Sequence, residues 1–327
     1  MSGFNAHYFF GTNHLQLLDN SYIKDCCRKH PGVYSIGLQG PDIFFYFVIA
    51  GFLERKNLGS LVHVRETNRF FYNMYRGLEL FDKKKNSVHD CYFMNNKEIA
   101  VAYMAGFLGH FVLDANTHPY VYGRTRYSDE EGAVYFGRHV FLETDIDRMI
   151  LEHFTGLKPS EFYQERTIKI NKCECRVITD LLYYTFKRTY PSVKAFRPFM
   201  QGALYSMRLG CIFFHDVHGC KKAWLRKLEE LTWGFPLISP LIPSDDLLFF
   251  KDPLNLSRKK WSNPWDQTIV SNESYMDLFD KAGKEYLSIL TELNDLLTEN
   301  CNRLSGSFLR KLANRSYHSG LDCRIPS

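Results

Sequence analysis

Residues 99–120 read IAVAYMAGFLGHFVLDANTHPY, and this stretch decides both the fold and the chemistry that the chain suggests. Its apolar residues recur at three- and four-residue spacing, which is typical of an α-helix. His110, Asp114 and His118 follow one another at intervals of four, so at about 100° per residue they drift only about 80° around that helix. Because burying unpaired imidazole and carboxylate groups is costly, this polar stripe predicts a bound metal ion.

The next helical segment repeats the pattern in RHVFLETDID, residues 138–147. His139 and Glu143 lie one turn apart, and Asp147 follows a turn later. Two such helices facing each other would place nitrogen and oxygen ligands around one cavity, a set that suits zinc. The alternative is a network of satisfied core histidines. His7, Asp42 and His63 are further candidates, since Asp42 follows a Gly-Pro pair and His63 is predicted to open an amphipathic helix.

The same helical period dominates the rest of the chain, and long alternating strands are absent. It recurs in SLVHVRETNRFFYNMYRGLELF, RVITDLLYYTFKRTY and ESYMDLFDKAGKEYLSILTELNDLLTEN. Loops are predicted at the pieces rich in Pro, Gly and Ser, namely HPGVY, GLQGPD, GRTRYSDEEG and GFPLISPLIPSDD. We therefore predict an all-α, multi-helix bundle forming one domain over residues 1–327, with a metal-site half (1–155) and a C-terminal helical half (156–327).

The composition of the chain restricts the classes of substrate and binding partner that we expect. With 41 basic and 36 acidic residues the formal charge is +5, which favours a phosphate-bearing substrate but is too weak for a stable nucleic-acid partner. The start, MSGFNAHYFFG, lacks the pattern of a secretory signal, and nine cysteines are an odd number, so we expect a cytoplasmic protein with free thiols. The apolar runs 43–53 and 99–109 are shorter than a bilayer span and are expected to be buried helices, which leaves only peripheral membrane contact.

The order of these motifs resembles the zinc-dependent phospholipase C family, in particular its bacterial branch. The resemblance rests on FNAHYFFG, LQGPDIFFY, NLGSLVH, GFLGHFVLDANTHPY and RHVFLETDID, and it covers roughly residues 1–155. It implies a helical fold, shared with the single-strand-specific zinc nucleases, that holds up to three zinc ions in a cleft. Asp42, His63, His110 and Asp114 would hold one ion, and His118, His139 and Glu143 a second.

His7 and a bridging Asp114 would hold a third ion in such a site. Two departures limit what the resemblance implies. Only six residues precede His7, whereas the secreted enzymes have about a dozen before the corresponding histidine, so both two and three ions stay open. Ile43 follows Asp42 where the lecithin-cleaving enzymes have an aromatic residue of the choline pocket, so a choline preference is not implied.

The resemblance implies hydrolysis of phosphodiester bonds by a zinc-activated water, with Asp42 or Glu143 as the proton acceptor. The substrate would be a phospholipid or a nucleotide. Two alternatives are a nuclease acting on single strands and a non-catalytic helical protein that holds structural zinc. The pairs His89-Asp90 and His215-Asp216 leave an HD-type phosphohydrolase as a further alternative. Four other histidines are interpreted as surface or capping residues: His14, His30, His153 and His318.

Overall fold

The structure is a computed structural model that describes residues 3–47, 57–82, 96–125, 132–232, 234, 238–247, 250–299 and 306–325. Within these residues, thirteen α-helices and one two-stranded sheet make the fold all-α, as the sequence predicts. The helices are α1 (Phe4–Leu17), α2 (Tyr22–Lys29), α3 (Pro31–Gly37), α4 (Leu58–Val64), α5 (Thr67–Asp82), α6 (Asn96–Thr125), α7 (Gly132–Thr155), α8 (Gln164–Thr167), α9 (Lys172–Thr189), α10 (Arg197–Phe214), α11 (Cys220–Thr232), α12 (Tyr275–Thr298) and α13 (Gly306–Leu312). The strands β1 (Trp261–Asn263) and β2 (Asp266–Ser271) pair antiparallel.

Helix α6 lies at the centre of the molecule and packs against α1, α2, α3, α5, α7, α9 and α12. It contains the apolar run 99–109, which is buried helix as predicted. At 30 residues, α6 is longer than that run and long enough to cross a bilayer, yet 94% of its most apolar window is buried in the protein. Among the described helices it is the one that meets the length and hydropathy of a membrane span, and its burial accounts for its composition.

Local side-chain caps explain where several helices begin. Ser21 accepts a hydrogen bond from the Lys24 backbone N–H and so opens α2. Asn171 and Ser274 start α9 and α12 with capping boxes, in which the cap side chain and the third helical residue bond each other's backbone N–H groups. These caps satisfy donors that the first turn of a helix leaves free.

Three predictions about element boundaries are wrong. The predicted helix beginning at Ser60 is two helices, because Arg65 is extended and Glu66 adopts a positive φ of 59°. His63 therefore lies in the last turn of α4 and not at the start of a long helix. HPGVY is not a loop, since Pro31 occupies the first position of α3, where its missing N–H costs nothing. The run from Ile43 begins in a 3-10 turn over Gly40–Phe44, not an α-helix, and its residues 48–53 lie outside the described part.

The C-terminal half contributes a β-hairpin, the long helix α12 and a compact loop after α13. Tyr286 of α12 donates a hydrogen bond from its hydroxyl to the Ala105 carbonyl of α6, 2.9 Å away. The loop at 313–322 folds back on itself: the Ser316 N–H donates to the Leu321 carbonyl, and the Gly320 N–H to the Ser316 carbonyl. This loop lies over the polar stripe of α6, because the Tyr317 carbonyl accepts a hydrogen bond from His118 Nδ1.

Candidate metal centre

The stripe on α6 forms the floor of a buried polar cluster. His110, Asp114 and His118 are each at most 1% exposed. Asp114 uses its two carboxylate oxygens in different directions: Oδ2 lies 3.0 Å from His110 Nε2, and Oδ1 lies 3.5 Å from His118 Nε2. The carboxylate thus stands between two histidines, as the helical spacing predicts.

Helix α7 brings the second predicted pair against the end of this stripe. His139 Nε2 lies 2.9 Å from Glu143 Oε1, and the same oxygen lies 3.3 Å from His118 Nε2. His118, His139 and Glu143 therefore form a buried group whose ligand atoms all lie within 4.8 Å of one another.

The predicted residues Asp42 and His63 enter from the opposite side. His63 Nε2 lies 3.4 Å from Asp42 Oδ1 and 3.6 Å from Asp114 Oδ2. Asp42, His63 and His110 form another group with ligand atoms within 4.8 Å. Gly40 allows this approach, because its φ is 49° and a Cβ there would lie only 2.4 Å from the His110 ring.

His7 completes a third group with His110 and Asp114. Its ring stacks on the His110 ring with centroids 4.0 Å apart, and its Nε2 lies 3.2 Å from Asp114 Oδ1. Asp147, which the sequence places in line with Glu143, is in none of the three groups. Its Oδ1 instead accepts the backbone N–H of Ala6 at 2.7 Å, so it fixes the first turn of α1 and with it His7.

Backbone carbonyls orient three of the imidazoles. The Nδ1 atoms of His63, His110 and His118 lie 2.7, 3.1 and 2.9 Å from the carbonyl oxygens of Gly59, Leu38 and Tyr317. A carbonyl oxygen can only accept, so each Nδ1 carries a proton, and in the neutral ring each Nε2 presents its lone pair to the cluster. This arrangement around histidine is typical of metal ligands.

The carboxylates and imidazoles of the metal-free cluster shift each other's protonation. Burial opposes ionisation of Asp114, but His118, His110 and His7 hold its pKa well below the usual range. Burial likewise opposes ionisation of Glu143, whose pKa His139 nevertheless lowers. Burial disfavours a charged His63, yet the negative carboxylates of Asp114 and Asp42 beside its Nε2 outweigh that effect and raise its pKa to about 9.

The donor set fits zinc. It contains five imidazoles and three carboxylates, which zinc accepts in tetrahedral sites, and the three negative charges offset most of the charge of two divalent ions. Several buried atoms also lack a hydrogen-bond partner among the described residues: both ring nitrogens of His7, Nε2 of His110 and Oδ1 of Asp42. Buried polar atoms are normally satisfied, so these atoms indicate a ligand that the side chains are arranged to bind.

Two residues at the site, Tyr317 and His318, are not predicted from the sequence as site residues. Tyr317 is fully buried and bonds both His63 and His118 through its backbone. His318, interpreted above as a surface or capping residue, instead contacts the rings of His63 and His118. No helical period marks this loop, so the sequence offers no signal for either residue. His14 is also buried, and the ring of His30 bonds Glu174 at 3.0 Å, whereas His153 is exposed as expected.

The HD-type alternative finds no support in the described residues. His89 and Asp90 lie outside them. The ring of His215 bonds the Ser160 carbonyl at 2.9 Å, and Asp216 accepts the backbone N–H of Lys222, so each serves the local fold. Neither belongs to a candidate metal group among the residues that the structure covers.

Comparison with known proteins agrees with the geometry. Residues 6–196, more than half of the chain, match the sequence model of the family described as zinc dependent phospholipase C. The match contains all eight residues of the three groups. No curated protein and no solved structure matches the chain significantly. On the strength of the family match, and with a helical fold that agrees with it, the chain belongs to the zinc-dependent phospholipase C family.

Proposed function

We propose that the protein is a zinc-dependent hydrolase of phosphodiester bonds, of the phospholipase C type. The observation that carries the proposal is the division of eight buried residues into three groups of three ligands, two of which share His110. A structural zinc site is closed by four protein ligands, whereas a catalytic site has three and leaves one position open. Groups of three therefore favour catalysis over the alternative of a non-catalytic protein with structural zinc.

The protein's own residues would divide the work of hydrolysis. Asp42 and Glu143 are the candidates for accepting the proton of the attacking water. Each carboxylate is buried beside a histidine, with Asp42 Oδ1 3.4 Å from His63 Nε2 and Glu143 Oε1 2.9 Å from His139 Nε2. Bound zinc would supply the Lewis acid that acidifies water and offsets charge on the phosphoryl group. Asp114, which faces the ligands of every group, would fix the spacing between the groups.

The family suggests a phospholipid substrate, and a nucleotide or single-stranded nucleic acid is the alternative. Both contain a phosphodiester, and the chemistry of the cluster is the same for both. A lipid substrate would require peripheral contact with a membrane surface, since the apolar α6 is occupied in the core.

Turnover by protein with and without added zinc tests the proposal. The substrates are bis(p-nitrophenyl) phosphate, a short-chain phosphatidylcholine and single-stranded DNA. We expect zinc-dependent cleavage of at least one, lowered about 100-fold or more in the proton-acceptor variant. Asp42→Asn and Glu143→Gln identify the acceptor as the residue whose change lowers kcat while the zinc content stays constant.

His153→Ala is the matched control, because this exposed histidine lies on α7 ten residues, or about 15 Å, beyond Glu143. It should retain full activity and zinc content. A folded, zinc-loaded protein that cleaves none of the three substrates would refute the proposal in favour of the non-catalytic alternative.

A further inference from the structure

His318 lies across two of the candidate metal groups. Its ring centroid is 5.2 Å from that of His63, which belongs with Asp42 and His110, and 5.8 Å from that of His118, which belongs with His139 and Glu143. Tyr122 closes a third side at 5.4 Å. The imidazole of His318 thus contacts a member of both of these groups and belongs to none of the three.

The loop that carries His318 is fixed to the same two histidines. The Tyr317 N–H donates to the His63 carbonyl at 2.8 Å, and the Tyr317 carbonyl accepts from His118 Nδ1 at 2.9 Å. On the other side, the Asn263 side chain donates to the Ser319 carbonyl at 2.9 Å. The ring of His318 is therefore held above the site by bonds on both sides of it.

Gly320 allows the loop to approach so closely. Its φ is 66°, and a Cβ there would lie 2.5 Å from the Ala115 carbonyl oxygen of α6. Any side chain at this position would both strain the backbone and push the loop off the helix. The contact between the loop and α6 thus requires glycine at position 320. This requirement fixes the position of the loop and, with it, that of His318.

The side chain of His318 is available to a ligand. The residue is half-buried, whereas the eight residues of the groups are at most 5% exposed, so His318 lies at the border of the cluster. Among the described residues neither of its ring nitrogens forms a hydrogen bond; its bond to Ser316 comes from the backbone N–H. A neutral imidazole carries one N–H donor, which suits an anionic oxygen.

We propose that His318 is a substrate-binding residue that donates a hydrogen bond to a phosphoryl oxygen at the metal centre. This inference rests on the proposed function only in the choice of a phosphoryl group as ligand. It adds to the site a residue from outside the stretch 6–196 that matches the family.

The test measures binding of inorganic phosphate to the zinc-loaded full-length protein by calorimetry, beside kcat/KM for bis(p-nitrophenyl) phosphate. His318→Phe retains a ring but removes the donor, and His318→Gln supplies an amide N–H. We expect the phenylalanine variant to weaken phosphate binding and kcat/KM about tenfold, and the glutamine variant to recover most of both. Zinc content should stay at the wild-type value, and His153→Ala should match the wild type throughout.

The inference is overturned if the phenylalanine variant binds phosphate within twofold of the wild type, if it loses zinc, or if the wild type binds no phosphate at all. The proposed function can fail separately. Protein that binds phosphate in a His318-dependent manner but cleaves no phosphodiester would support the inference while refuting hydrolysis. If the phenylalanine variant does not fold, His318→Ala provides the same comparison without a ring.

Discussion

Zinc binding should displace a proton from His63. The two aspartates around this ring raise its pKa to about 9, so at pH 7 about 99% of the metal-free protein carries a protonated His63. Zinc binds only the neutral imidazole. We therefore expect zinc to release about one proton from this residue at pH 7, and about half a proton at pH 9.

The size of the effect follows from the two pH units between 7 and 9. At about 1.4 kcal/mol per unit, proton competition at His63 weakens zinc binding at pH 7 by about 3 kcal/mol relative to a fully neutral ring. Because half of the rings are still protonated at pH 9, this is about 50-fold relative to pH 9. The stability of the metal-free fold depends on pH in the opposite direction. Because the pKa of His63 is higher in the folded chain, its contribution to metal-free stability is complete below about pH 6.5 and is lost as the pH rises through about 9.

Titration calorimetry measures the released protons directly. Zinc is added to metal-free protein in three buffers that differ in ionisation enthalpy, with a chelator to hold free zinc low. The wild type should release about one proton more than His63→Gln at pH 7, while the exposed-site control His153→Ala should behave as the wild type. A difference near zero at pH 7, or one that does not shrink by pH 9, would refute the reasoning.

Three further changes test the cluster and the loop above it. His139→Ala should lower the zinc content by about one equivalent, measured by mass spectrometry of the metal, and unchanged content would contradict the grouping with Glu143. Asp114→Asn should reduce the free energy of unfolding in urea by about 3 kcal/mol or more, because it leaves buried partners unpaired, and a loss under about 1 kcal/mol would count against that role. Gly320→Ala should cost about 1–3 kcal/mol more than Gly219→Ala, which has a similar φ of 69° but open space around it; equal losses would mean that the loop yields easily.

The local part of the site could be predicted because helical spacing is a local property. His110, Asp114 and His118 share one face of α6 wherever that helix packs in the fold. In the same way, His139 and Glu143 share one face of α7. The same spacing of apolar residues predicted which segments of the chain are helical. Residue spacing within a helix does not determine which helices pack together. The family resemblance, not the spacing, indicated that Asp42 and His63 lie with the ligands of α6 and α7.

The remainder depended on backbone geometry that residue types do not encode. The continuous apolar pattern is divided into two helices at Glu66, whose φ is positive. A glutamate side chain gives no indication of such a backbone conformation. Asp147 has the spacing of a ligand but bonds the Ala6 N–H, since the start of α1 happens to lie beside it. Tyr317 acts through its backbone N–H and carbonyl, which every residue except proline has, so the sequence gives no indication of its partners.

The bonds of Tyr317 also bear on how the molecule assembles. Its carbonyl meets the ring of a histidine 199 residues earlier in the chain, and its N–H meets the carbonyl of His63, earlier still. At about 5–20 residues per second, a ribosome needs about 10–40 s to make the intervening segment. During most of that interval all eight ligand residues have been synthesised, whereas the loop has not. The two hydrogen bonds of Tyr317 therefore form only after every ligand residue of the metal centre is in place in the chain.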